Sequence, residues 1–146
     1  MEYFNIIGAI QTYCDARGIV FIWQYNEFYT NIEASQKYEN GQKILVIDLR
    51  PTPVLSGFKI AGITYSGLFM LGLKFDPDGR QASLDEKAIQ KYQRRLKELS
   101  QLSAEIMADF SCMNELAVTP GQMNYLINTF DSNIDFVVYQ NATFEQ

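Results

Sequence analysis

Asp131, Asn133 and Asp135 occupy every second position in the stretch NTFDSNIDFVVYQNATF, residues 128–144. Carboxylate and amide oxygens at that spacing resemble the opening of a calcium loop, D-x-N-x-D, which gathers oxygen ligands around a hard cation. Such a loop also needs a glycine at its sixth position, for a sharp turn, and a bidentate glutamate at its twelfth. Counted from Asp131, those positions hold Phe136 and Ala142. Neither residue meets the requirement. Asp, Ser and Asn bond their own backbone and favour turns. The cluster therefore reads as the corner of a β-hairpin, with Asp135 leaning away from the Ile134–Phe136–Val138 face. No metal is expected there.

The second chemistry-bearing feature is a split in charge. Lys87, Lys91, Arg94, Arg95 and Lys97 form a short basic band, and beyond Lys97 the chain has no lysine or arginine. That last third carries Glu98, Glu105, Asp109, Glu115, Asp131, Asp135 and Glu145. One reading is a solvated helix face beside an acidic surface. The other is complementarity between copies of the chain, basic band against acidic region. On the second reading the subunit-interface candidates are the five basic residues, Asp131 and Asp135, with Asp76, Asp78 and Arg80 in a nearby loop. Asp131 and Asp135 would then meet an arginine or lysine of a neighbouring subunit. Nucleic acid is not expected, because the net charge is −5 and the band has no aromatic platform apart from Tyr92, which the helical period points inward.

Several classes of chemistry lose support. The chain has no histidine, the commonest general base and metal ligand. It has no phosphate-binding glycine loop, no dinucleotide fingerprint, no zinc-protease motif and no nucleophile elbow. No catalytic or cofactor-binding residue is singled out, and the expectation is a protein that is not an enzyme. The two cysteines, Cys14 and Cys112, lie in separate helical segments. They read as buried free thiols, with a Cys14–Cys112 bridge as the alternative. The amino-terminal segment does not read as a signal peptide, and no apolar run approaches the ~18 residues of a membrane span.

These residues must be positioned by a fold, and the pattern predicts an α+β domain over residues 1–146. Tyr3, Ile6, Ile7, Ile10, Tyr13 and Cys14 recur at helical spacing, with Gly18 at the C′ position. IVFIWQY, residues 19–25, reads as a strand. Residues 26–42 read as a variable region, either a long loop with a short helix or a hairpin turning at Asn40–Gly41. KILVIDL, residues 43–49, is apolar throughout and predicts a central strand covered on both faces. The prolines at 51 and 53 should end it, and VLSGFKI should form a short edge strand. Ile63, Tyr65, Phe69, Leu71, Leu73 and Phe75 alternate along one strand face. That strand should either bend at Gly67 or Gly72, the favoured outcome, or run out of the globule as an arm.

Ser83 and Glu86 form a capping box for a long helix, residues 84–113. Ile89, Tyr92, Leu96, Leu99, Ile106, Phe110 and Met113 make its apolar stripe, with Ser103 the only polar step. A sheet-packing helix explains this stripe better than a dimeric coiled coil. MNYLINTF and IDFVVYQ should be two final strands. The sum is a mostly antiparallel sheet packed on one face by both helices.

This order resembles that of phage tail terminators and related neck proteins. ILVIDLRPTPVLS, GITYSGLFMLGLKFDPD, the long helix and the two C-terminal strands carry the resemblance, which covers most of the chain and contains no diagnostic motif. It implies a virion protein that forms a homo-oligomeric ring, a hexamer or dodecamer, at the head–tail junction. Its partners would be itself and neighbouring neck and tail proteins, reached through loops 26–42 and 76–82. It would be assembled in the host cytoplasm, without cofactor or membrane. The alternative is a small cytoplasmic ligand-binding module or enzyme, which should show a pocket lined by convergent polar groups with shifted titration.

Overall fold

A computed structural model describes residues 5–23, 38–75, 86–126 and 134–145; for residues 5, 86–89, 91 and 92 it describes the backbone alone. The elements are α1 (Asn5–Ala16), β1 (Val20–Trp23), β2 (Lys43–Ser56), β3 (Lys59–Lys74), α2 (Glu86–Asn114), β4 (Ala117–Thr119), β5 (Met123–Leu126) and β6 (Ile134–Glu145). The strands make one six-stranded sheet in the order β1-β2-β3-β6-β4, with β5 also on β6. Every pairing is antiparallel except β1 with β2. The fold is α+β.

Alternation sorts the strand residues onto two faces. Leu45, Ile47 and Leu49 of β2 join Ile63, Tyr65, Phe69 and Leu71 of β3 and Val137 and Tyr139 of β6 on the helix face. Ile6, Ile10, Tyr13 and Cys14 of α1 and Leu99, Ile106, Met107 and Phe110 of α2 pack on that face. Ile44, Val46, Met70, Ile134, Phe136 and Val138 form a second buried cluster, with Tyr38 packed against it. β2 is thus covered on both sides from Ile44 to Ile47, as its unbroken apolar run requires. Phe69 sits at the centre of the helix-face cluster, with the rings of Phe110, Tyr139 and Phe144 at about 6 Å.

Both helices end in the same motif. The Ile19 amide donates to the Cys14 carbonyl across Gly18, and the Leu116 amide donates to Ser111 across Glu115. Each is the long back-bond of a Schellman cap, with a left-handed residue at C′. Gly18 fills that role as expected, whereas at the second cap Glu115 accepts φ 52°. The second cap also corrects one expectation. Met113 is 62 % exposed, because the reversal at Glu115 brings Leu116 into the core in its place. Ser103, the polar step in the stripe, stays buried because its hydroxyl bonds both the Ser100 carbonyl and the Tyr139 hydroxyl.

The largest departure concerns the prolines. β2 does not end at Pro51 but runs through Pro51 and Pro53 to Ser56, in register with Tyr65 and Ile63 of β3. The two prolines share one parity, so their nitrogens face the same edge of β2. Among the described residues, β1 accompanies that edge only as far as Ile47. A missing N–H therefore costs the ladder with β3 nothing. The strand closes in a two-residue turn at Gly57–Phe58. Gly57 has φ 65°, which suits the first central position of a type II′ hairpin turn.

The long third strand both kinks and projects. Gly67, at φ 140°, marks a register shift against β6. Gly72 does something else: it leaves room for the Phe136 ring, which lies where a Cβ would stand. β6 follows β3 only to Thr64. Beyond that point the β2–β3 hairpin has no flanking strand among the described residues, and it extends by about 15 Å at the usual rise per residue. The Asn40–Gly41 turn is present, with Gln42 bonded to Glu39 and Gly41 bonded to Lys74. The rest of the predicted 26–42 loop and the Ser83 half of the capping box lie outside the described residues.

Candidate functional site

The basic band lies along the first half of α2, where the helical period divides it. Arg94 and Lys97 are exposed. Arg95 stands four residues before the buried Leu99, so it shares the row that faces the sheet. Its Nη2 lies 3.4 Å from Oδ2 of Asp135, and its guanidinium stacks 4.7 Å from the Phe75 ring centre. The Asp135 side chain is only 1 % exposed. A carboxylate taken out of water in this way is tolerated when a cation and hydrogen bonds replace its hydration.

This pair corrects one assignment and sharpens another. Asp135 does lean away from the Ile134–Phe136–Val138 face, as the alternation requires. That turns it toward the helices, so the cation that meets it is Arg95 of the same chain, and not one from a neighbouring subunit. Arg95 and Asp135 are therefore engaged with each other inside the fold. Lys87 and Lys91 lie on α2, in the part where only the backbone is described. Asp76, Asp78, Arg80 and Asp131 lie outside the described residues, as does the turn at 131–133. Among the described residues, no three His, Cys, Asp or Glu side chains come together as a metal site.

The groups with shifted titration belong to packing. The Tyr13 hydroxyl donates to Asp109 Oδ2 at 2.6 Å, and Arg17 covers the Tyr13 ring at 3.6 Å. Burial, and then the bond to the Asp109 carboxylate, push the phenol up to about 12. Burial and the nearby Asp15 carboxylate push the Cys14 thiol up to about 12 as well. A thiol held protonated in this way is a poor nucleophile. Both cysteines are free; Cys14 is buried as expected, but Cys112 is exposed on α2. Burial lowers the Lys74 ammonium and raises the Tyr38 phenol.

Two of the clefts lined by described residues open at the surface. One, of about 200 Å³, is polar and is lined by Arg17, Glu39, Asn40 and Lys43 around the turn before β2. The other, of about 300 Å³, lies between α2 and β4 and is lined chiefly by Ala104, Met107, Ala108, Val118 and Pro120. None of Tyr13, Cys14, Tyr38 or Lys74 lines either cleft.

The outer half of the hairpin is the arm that the strand pattern offers as the alternative to a bend, and its apolar tip is what the pattern does not single out. Val54 is 48 % exposed, Leu55 64 % and Ile60 56 %, while Phe58 at the turn is fully exposed. Leu55 and Ile60 face each other across the two strands. Lys59 is the only charged residue between Pro53 and Ile63. The sequence did hold a signal, an apolar run folded about a Gly57 turn, but a buried hairpin would give the same run. No helix among the described residues is long and apolar enough to cross a membrane. No family model, curated protein or solved structure matches the chain.

Proposed function

We propose that this chain is a virion structural protein of a phage tail or neck. It assembles into a homo-oligomeric ring at the head–tail junction, in the manner of a tail terminator, and has no catalytic role. The observation that carries the reading is the projecting hairpin. A monomer in water gains nothing from an apolar arm with a bare phenylalanine at its tip, and exposed apolar patches of this kind mark contact surfaces. The order of elements supports the same reading: a helix and strand, a long hairpin, a long helix and C-terminal strands. The other ring partners, neck and tail proteins, would dock on the faces of the ring.

A ring requires a heterologous contact, in which two different patches on each subunit meet. Arg94 and Lys97 remain as exposed cations, and the acidic last third supplies the opposite sign. Assembly should therefore weaken as salt screens surface charge. The test is mass measurement by light scattering, with electron microscopy of the particles. A six- or twelve-fold ring that dissociates at high salt is the expected result. A monomer at high concentration, unchanged by salt, rules the reading out.

A further inference from the structure

We infer that the β2–β3 hairpin of one copy seats its tip, with Phe58 foremost, in the apolar cleft between α2 and β4 of the next copy. This rests on the ring reading above and supplies its contact. The two surfaces are complementary in kind. One is an apolar projection with nothing among the described residues against its end; the other is a cleft walled by Ala104, Ala108, Val118 and Pro120. The cleft is at the small end for a ligand site and suits one large side chain. Phe58 is fully exposed, so the chain does not fill its own cleft.

Charge identifies the occupant. The tip bears one ion, Lys59, and it is exposed. On α2 the exposed Glu105 stands three residues before Ala108 of the lining, on the same helix row. No lysine or arginine follows Lys97 in the chain, so the strands beside the cleft add no cation of their own. An apolar tip with a lysine therefore meets an apolar cleft with an acid beside it on the same helix row. Tip and cleft belong to different elements, so each copy offers one of each, and contacts of this kind continue from copy to copy until a ring closes.

The test uses two variants of the full chain. Phe58→Asp destroys the tip and leaves the cleft; Ala104→Trp fills the cleft and leaves the tip. Both sites are exposed, and an unchanged circular dichroism melt establishes that each variant folds. Ala108→Trp is the substitute if Ala104→Trp does not. Each variant alone should lose at least about tenfold in association, as expected for an aromatic anchor, and run as a monomer where the wild type is assembled. Mixed together they should form a dimer and nothing larger, because one intact tip meets one intact cleft. Lys59→Glu should weaken wild-type assembly at low salt and have less effect at high salt.

If the wild type assembles and both variants still assemble like it, the tip-to-cleft contact is wrong while the ring reading stands. If the wild type is monomeric, both fail. A monomer that instead sediments with anionic lipid vesicles, and loses that binding on Phe58→Asp, would mean that the hairpin serves a membrane and not a second copy.

Discussion

The inner and outer halves of the β2–β3 hairpin use similar side chains. Ile44–Leu49 of the inner half is almost fully buried, and Phe69 opposite Ile47 is at 0 % exposure. Val54, Leu55, Phe58 and Ile60 of the outer half are half exposed or more. The ladder between the two strands continues through both halves, so backbone pairing does not distinguish them. Neighbours do. The inner half has β1 on one side, β6 on the other, and helices above. The outer half has none of these among the described residues. The difference teaches that apolar character in a strand states a demand for cover, and that the rest of the fold decides whether the chain meets the demand itself.

The largest expected effect tests this contrast directly. Phe69→Ala should cost about 3–5 kcal/mol of folding stability in urea titration, since it empties a fully buried site among three rings. Phe58→Ala should change monomer stability by no more than ~0.5 kcal/mol. A comparable loss at both positions would mean that the outer half is packed within the chain, and the comparison would collapse.

A second contrast lies on α2, between adjacent arginines. Arg95→Ala takes the Arg95 guanidinium away from the buried Asp135 carboxylate and should cost about 3 kcal/mol, the lower end for such a break, because the Arg95 side chain keeps some access to water. Arg94→Ala, at an exposed site, should stay within ~0.5 kcal/mol while weakening assembly. If Arg95→Ala melts like wild type, the pair is incidental to the fold, and Arg95 returns to the list of interface candidates.

The smallest effect is alkaline. The unfolded chain releases the Cys14 proton near 9 and the Tyr13 proton near 10, while the folded chain holds both to about 12. The stability they contribute is whole below pH 9 and is lost as pH rises through that range. Lys74, lowered by burial, acts in the opposite sense but is common to wild type and variant. Tyr13→Phe should therefore gain on the wild type between pH 10 and 12, in chemical denaturation at each pH. A constant difference across that range would show that the phenol ionises freely. Shortening the hairpin tip should leave the slope unchanged, because Tyr13 belongs to the covered half.

Much of the frame was legible from local pattern. The alternation of Ile63, Tyr65, Phe69 and Leu71, the helical period of α1 and α2, Gly18 at its cap and the double-faced run of β2 each follow from short-range geometry. The prolines misled because a missing N–H matters only on the side where a partner strand lies. Met113 misled because the stripe continued on paper past the point where Glu115 turned the chain. Arg95 was read as part of the basic band because of its charge, although its spacing from Leu99 puts it on the row that faces the sheet.

The sequence by itself determined which residues share a face and which segments must be buried, because strand and helix periods are properties of the backbone. It also placed Asp135 opposite the face of Ile134, Phe136 and Val138. Only the tertiary structure decided what lies on that other face, and so that the cation is Arg95 of the same chain. It alone decided that, among the described residues, β1 pairs with β2 as far as Ile47 and β6 with β3 as far as Thr64, while the hairpin continues beyond both to Phe58. Burial and pairing depend on where other elements end in space, and no local spacing records that.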